Sequence, residues 1–318
     1  MDSQEADKKV EANLPQDFHS GFVAVIGRPN VGKSTLVNTL LGEKVAIVSP
    51  KPQTTRHRIV GIIQRKDAQI MLLDTPGLHK PTHVLGRQMV EISKAAMDDA
   101  DVVIVMIDGR VGVTEEDQRV FDRIKTAQRD RPRPVILAIN KCDIANKPKI
   151  LPMIERCAKL NLFSDIIPIS ALTRDQLDVL MKAVTPHLPT GPQWYEPHQK
   201  TDQSREQLVA EFIREQVLLA TREEVPHAVA VMIDTIEERE KVTAIHATIL
   251  VERPGQKAIV IGSGGSMLKQ IGQEARKELE RLLGRKVFLE LWVKVSEGWR
   301  SDERMIKELG YTGPTSDA

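Results

Sequence analysis

The sequence predicts two folds in succession. The first is an α/β domain with a mostly parallel sheet and helices on both faces, and the second a smaller α+β domain. Three observations carry this. Short, almost purely apolar runs alternate with helical stretches as far as residue 187, a proline-rich break covers 186–204, and the order of elements changes after it. A length of 318 residues also exceeds what one core usually fills.

Residues 22–27 (FVAVIG) form an apolar run of the kind buried on both faces of a parallel sheet, and 31–41 follow with helical spacing before Gly42. Further buried strands are expected at 69–73, 102–108, 135–140 and 166–169, with helices at 84–98, 115–129, 150–160 and 174–187. Strand–helix alternation implies right-handed crossovers. Past the break, a helix is expected at 205–221, strands at 227–238 and 242–253, a helix opening at 262–283 and a strand at 287–295, in α-β-β-α-α-β order. The chain thus divides into a tail at 1–17, a first domain at 18–187, a linker at 188–204, a second domain at 205–312 and a tail at 313–318.

Composition sets limits. A net charge of +1 argues against a generally basic nucleic-acid coat, so any RNA contact must come from a local patch. Two cysteines, Cys142 and Cys157, are too few for a disulfide framework and fit a reducing compartment. No run is long enough to cross a bilayer, and residues 1–16 lack a signal-peptide core, so a cytoplasmic location is expected.

Chemistry begins at residues 27–34 (GRPNVGKS), which match G-x-x-x-x-G-K-S/T between a buried strand and a helix. Gly27 and Gly32 permit the turn, and the backbone through Arg28, Pro29, Asn30 and Val31 wraps phosphates at a helix N-terminus. Lys33 supplies charge to the β- and γ-phosphates, Ser34 offers its hydroxyl to Mg²⁺, and Thr35 is counted with the nucleotide contacts. Asp74-Thr75-Pro76-Gly77 closes the next buried strand; Asp74 can hold Mg²⁺ and the Gly77 amide can meet the γ-phosphate. In Asn140-Lys141-Cys142-Asp143, Asp143 can accept from guanine N1 and N2, a donor pair that adenine lacks, while Lys141 lies along the base. A buried carboxylate is expected at Asp143. Ser170-Ala171-Leu172 offers a backbone N–H to guanine O6.

These four pieces, in this order and spacing, resemble the translation-factor class of GTPases. The resemblance implies an α/β P-loop GTPase domain that binds GTP and GDP and hydrolyses GTP with Mg²⁺. It places the first switch at Pro52-Gln53-Thr54-Thr55-Arg56-His57, with one of Thr54 and Thr55, Thr55 by preference, as a further Mg²⁺ ligand. Leu78 stands where many signalling GTPases carry a water-orienting glutamine. In the group with a hydrophobic residue there, an asparagine matching Asn30 helps to bind K⁺. Lys33, Asn30, Thr55 and Gly77 are therefore the expected catalytic residues.

In the second domain, Gly262-Ser263-Gly264-Gly265 before a helix resembles the GXXG loop of a type II KH domain. Two glycines at a helix junction let the main chain approach an RNA backbone, while an apolar groove takes unstacked bases. Residues 200–318 hold 18 Lys/Arg against 20 Asp/Glu, so the domain is not basic overall. The stretch 253–269, however, carries Arg253, Lys257 and Lys269 and no acid, the local charge that phosphate contacts need. This loop lacks the lysine or arginine often found inside the GXXG.

A GTPase domain followed by one KH domain resembles the Era family of bacterial ribosome-assembly GTPases, over about residues 20–312. GRPNVGKSTL, PQTTRHRIVGI, DTPGLHKP, NKCD, VERPGQKAIVIG and LELWVKV followed by GW carry the likeness. It implies GTP-dependent binding of small-subunit ribosomal RNA near its 3′ end, maturation of the small ribosomal subunit, a monomer, and weak peripheral association with the inner face of the cell membrane. Coupling between the domains is expected to run through the linker. The alternative is a membrane- or protein-directed regulatory GTPase whose second domain binds a protein; a small-molecule kinase is disfavoured by NKCD and SAL. Trp292 is expected to pack against a helix, and Arg110, Arg129, Arg131 and Arg133 to form a solvated surface.

Overall fold

The computed structural model describes residues 17–77 and 83–311. They form two compact units, one of residues 17–46, 58–77 and 90–202, the other of 47–57, 83–89 and 203–311. Leu78 and the rest of 78–82, the tail at 1–16, and 312–318 lie outside the described residues.

The first unit is built on six strands, β1 (His19–Ile26), β2 (Ile59–Gln64), β3 (Ala68–Asp74), β4 (Val102–Asp108), β5 (Val135–Asn140) and β6 (Asp165–Pro168). Their order is β2-β3-β1-β4-β5-β6. All pairings are parallel except β2 with β3. Helices α1 (Lys33–Leu41), α2 (Val84–Asp99), α3 (Glu115–Asp130) and α4 (Lys147–Ala158) connect them and α5 (Leu177–Val184) follows β6; the part of α2 up to Met89 groups with the second unit. Every residue of β3, β4 and β5 is buried, as apolar strands covered on both faces must be. Leu36 and Val37 of α1 and Leu180 of α5 pack on one face, and Phe121 of α3 and Cys157 of α4 on the other.

The strand β2 was not anticipated. Its sequence IVGIIQ directly follows the predicted switch and is buried, antiparallel at the sheet edge. The proline-rich stretch lies along this unit. Thr201 bridges Gly61, and Gln69 bonds the Trp194 and Tyr195 amides and the Tyr195 carbonyl.

In the second unit the order is α6 (Arg205–Ala220), one turn α7 (Val225–Ala228), β7 (Ala230–Glu238), β8 (Thr243–Val251), α8 (Pro254–Ile261), α9 (Ser266–Leu283), β9 (Val287–Val295) and α10 (Glu303–Glu308). The sheet order is β7-β8-β9, with β7 antiparallel and β9 parallel to β8. Phe212 and Ile213 of α6 and Ile271 and Leu279 of α9 pack against Ile245, Ala247 and Ile249 of β8. Trp292 does not pack against a helix. It is 62 % exposed, because β9 turns Phe288 and Trp292 to the sheet face those helices leave uncovered.

Candidate active site and nucleic-acid interface

The predicted nucleotide residues of the first unit converge at the C-terminal ends of parallel strands, where open α/β sheets bind ligands. The phosphate loop leaves β1, DTPG ends β3, NKCD ends β5 and SAL follows β6. Register sets Val25 level with Asp74, and Asp108 level with Asn140.

Local chemistry explains each loop. Gly32 sits at φ 106°, a conformation that side chains resist, and a Cβ there would lie 2.3 Å from Asn140 Nδ2. Lys33 is buried; its Nζ donates to the Gly27 and Arg28 carbonyls at 3.2 and 3.3 Å. Burial lowers its pKa to about 8, against the opposing pull of Asp74. Arg28 pairs at 3.3 Å with Asp117, which also caps α3. A Cβ on Gly77 would lie 2.9 Å from Pro29, so this strand end and the phosphate loop approach as closely as a glycine allows.

Ser34 Oγ donates to Asp74 Oδ2 at 2.7 Å, and Asp74 is fully buried at the strand end. A hydroxyl beside a carboxylate is a hard oxygen donor pair, and the residues fit Mg²⁺. Thr75 instead turns its hydroxyl to the Val25 carbonyl at 2.9 Å, which locks DTPG to β1. The Pro76 carbonyl accepts from Ser93 Oγ.

Asn140 ties three loops together. Its Nδ2 donates to the Val31 carbonyl at 2.8 Å, and its Oδ1 accepts the Ala171 amide at 2.9 Å. Lys141, at φ 66°, donates to the Asn30 carbonyl at 2.6 Å and to Asp108 Oδ2 at 2.8 Å. The Ser170, Ala171 and Thr173 amides bond Asp175, Asn140 and the Ser170 hydroxyl, which leaves Leu172 as the donor of the SAL triplet. Asp143 is exposed and not buried as expected, because it lies beyond the strand end in the turn that follows Asn140. Asn30 is also exposed.

Two residues of this site escaped sequence reasoning. Asp108 closes β4 and is buried, bound by Arg110 at 2.7 and 3.0 Å and by Lys141. Burial alone would raise its pKa, but bonds from Arg110 and Lys141 hold the carboxyl well below the usual carboxylate range. Arg110 is therefore a clamp on the base loop, not merely a solvated charge. Arg133 likewise donates to the Met97 and Ala100 carbonyls, so it ties down the end of α2. The available signal for Asp108 was an acid ending an apolar strand, as Asp74 does.

Thr55 lies in the second unit, in the segment Ile47–His57. It is buried, and its neighbour Thr54 uses its hydroxyl inside the turn, donating to the Lys51 carbonyl at 2.7 Å and meeting Ser49 Oγ at 2.8 Å. Arg56 is 1 % exposed, within 5.6 Å of the ring centroids of Trp299 and Tyr311. Burial, then Arg214, lower its pKa to about 10, so it stays cationic at neutral pH.

The GSGG loop joins α8 to α9. Gly262, Gly264 and Gly265 all have positive φ, and a Cβ at Gly264 or Gly265 would meet nothing within 4 Å, so this main chain is open to approach. Ser263, Arg253 and Lys269 are exposed and Lys257 half-buried; Lys269 lies in the first turns of α9, while Arg253 caps the far, N-terminal end of α8. Ile259, 48 % exposed, adds apolar surface on α8.

Comparison with known proteins decides the family. Residues 22–141 match the family model described as 50S ribosome-binding GTPase, and 224–300 match the KH domain. The GTPase Era of Ruminiclostridium cellulolyticum is 45 % identical over 295 residues, covering 92 % of this chain and 98 % of the relative. That of Staphylococcus haemolyticus is 43 % identical, covering 93 % and 98 %. The chain belongs to the GTPase Era family.

Among solved structures, a variant of Aquifex aeolicus Era bound to GDP and AlF4⁻ is similar with a TM-score of 0.89 and 42 % identity, covering 93 % of this chain and all of that one. Era in complex with MgGDPNP and nucleotides 1506–1542 of 16S ribosomal RNA is equally similar, covering 93 % and 99 %. The chain is thus a GTPase, a P-loop α/β domain followed by a KH domain, as the Era family resemblance implied. No helix among the described residues is long and apolar enough to cross a membrane.

Proposed function

We propose that this Era family member is a GTP-hydrolysing switch that binds small-subunit ribosomal RNA near its 3′ end through the GSGG loop and so assists maturation of the small ribosomal subunit. The observation that carries the RNA reading is a similar structure over 93 % of this chain that holds nucleotides 1506–1542 of 16S ribosomal RNA. The open glycine main chain, with Lys257 on the preceding helix and Lys269 on the following one, is the chemistry such a strand requires, and Arg253 adds charge at the far end of α8.

Lys33 and the phosphate-loop amides hold the β- and γ-phosphates, and the Gly77 amide meets the γ-phosphate. Asp143 reads guanine N1 and N2, the Leu172 amide reads O6, and Lys141, steadied by Asp108, lies along the base. Ser34, Asp74 and Thr55 hold Mg²⁺, which supplies positive charge to the phosphate oxygens when bound. Asn30 helps to hold K⁺. Water attacks the γ-phosphate without a side-chain base, a reaction governed by positioning and fixed charge. The protein works as a cytoplasmic monomer, with weak peripheral contact with the inner membrane face as a secondary property.

The test is GTP hydrolysis with and without a short RNA copying the 3′ end of small-subunit ribosomal RNA. Stimulation by that RNA and not by a scrambled one is expected. Hydrolysis indifferent to it, with no RNA bound in the GTP state, would move the second unit to a protein-binding role.

A further inference from the structure

The segment Ile47–His57 is built into the second unit by three sets of contacts. At its start the Val48 amide donates to Glu215 Oε1 at 2.9 Å. In its middle the Thr54 carbonyl accepts from Arg214 Nη2, and Arg214 is held in turn by Glu211. At its end Arg56 enters a closed cage. Its guanidinium donates to the carbonyls of Val229 at 2.5 Å, Pro226 at 3.3 Å and His227 at 3.1 Å. The rings of Trp299 and Tyr311 wall the cage, and the Trp299 indole itself donates to the Ala228 carbonyl at 2.8 Å.

A solvated loop needs none of this. Loops run over the surface because buried backbone and charge are costly to satisfy. Here one arginine spends its donors on three carbonyls of a single stretch, 226–229, which leads from the turn α7 into β7. A buried cation so placed is strongly specified: an apolar replacement would leave those carbonyls without donors, and lysine cannot span them.

We infer that Arg56 is the positioning residue of the first switch, whose seating in the cage of residues 226–229, Trp299 and Tyr311 sets Thr55 and passes the state of the nucleotide site to the RNA-binding unit. The inference rests on the reading of 52–57 as that switch. Thr55 and Arg56 are consecutive, so a nucleotide that holds one constrains the other, and the cage converts that constraint into order at the start of β7. The proline-rich linker is not needed as the route, since it lies along the first unit's sheet.

The experiment uses the full-length protein as wild type, Arg56→Ala, Arg56→Lys and Tyr311→Phe. Amide hydrogen exchange is followed over 47–57 and 225–231 without nucleotide, with GDP and with a non-hydrolysable GTP analogue, alongside GTP turnover and GDP affinity. In the wild type both stretches should exchange at nucleotide-dependent rates. Arg56→Ala should abolish that dependence at 225–231 and lower turnover about tenfold or more, the equivalent of one charged buried hydrogen bond, with GDP affinity changed less than about twofold. Arg56→Lys, which keeps the charge, and Tyr311→Phe, which keeps the ring, should weaken the dependence in part. If 225–231 in Arg56→Ala still responds to the GTP analogue as in the wild type, the inference is wrong. If 47–57 in the wild type is indifferent to nucleotide, the switch reading itself falls; if 47–57 responds and 225–231 does not, only the coupling through Arg56 falls.

Discussion

Replacing Asn140 by alanine tests whether the nucleotide site is held together as the hydrogen bonds indicate. Asn140 is 2 % exposed, and its amide joins the Val31 carbonyl to the Ala171 amide. Alanine removes both bonds and strands a buried acceptor and a buried donor, with too little room to admit water freely at the close Gly32 contact. Each orphaned group costs about 1–3 kcal/mol, and a central value for the pair is about 4 kcal/mol. For a domain of this size that loss lowers the melting temperature by about 8–16 °C. The Val31 and Ala171 loops serve nucleotides with or without a γ-phosphate, so GTP and GDP affinities should fall together. Thermal unfolding without nucleotide and paired titrations with GDP and a GTP analogue provide the assay. A melting temperature within about 2 °C of wild type, or a loss confined to GTP, would refute the reasoning.

Three further outcomes follow from the site and its surroundings. Asp143→Asn exchanges an acceptor pair for one acceptor and one donor, matching xanthine N1–H and O2, and should trade guanine for xanthine nucleotides, read by competition binding; unchanged GTP preference would remove Asp143 as the base reader. Hydrolysis should be faster in K⁺ than in Na⁺, with the difference lost in Asn30→Ala; equal rates in the two salts would end the potassium assignment. Glu211→Gln removes the carboxylate charge paired with the fully buried Arg214 and should cost the protein about 3–5 kcal/mol in urea unfolding. Burial opposes ionisation of Glu211, but Arg214 holds its pKa below 4.5 in the fold. The wild-type pair therefore contributes fully above pH 4.5 and is lost as pH falls through the lowered value, a dependence the variant should lack.

The parts of this protein legible in the sequence were those whose physics is local. Fully buried strands such as 102–108 and 135–140 announce themselves by composition, because a strand covered on both faces has no polar side to show. The phosphate loop, DTPG and NKCD are fixed-spacing solutions to backbone problems, which is why they could be placed before any coordinates. β2 was hidden for the opposite reason. Its apolar run continues straight from the switch, and an antiparallel edge strand that returns through Arg65–Asp67 leaves no helix between it and β3 to mark it.

What the sequence could not show is which side chains far apart along the chain complete one another. Arg110 reads as one surface charge among several until β4 and β5 come into register and set Asp108 opposite Asn140, next to Lys141. Arg56 reads as part of a polar loop until residues 226–229 and 299–311 close around it. Trp292 reads as core because tryptophan usually finds cover, yet its strand places it opposite Thr248 on the open face. In each case identity and spacing are uninformative, since the deciding partner, Lys141 for the Arg110–Asp108 pair, Thr248 for Trp292 and Tyr311 for Arg56, lies about 30 to 255 residues away. The same separation makes such groups good carriers of function: a contact that joins remote segments changes when either segment moves, whereas a motif contained in one loop moves as a piece. On these grounds the switch should be sought at Arg56, the tie from 47–57 to 226–229, before the glycines of the nearby loops.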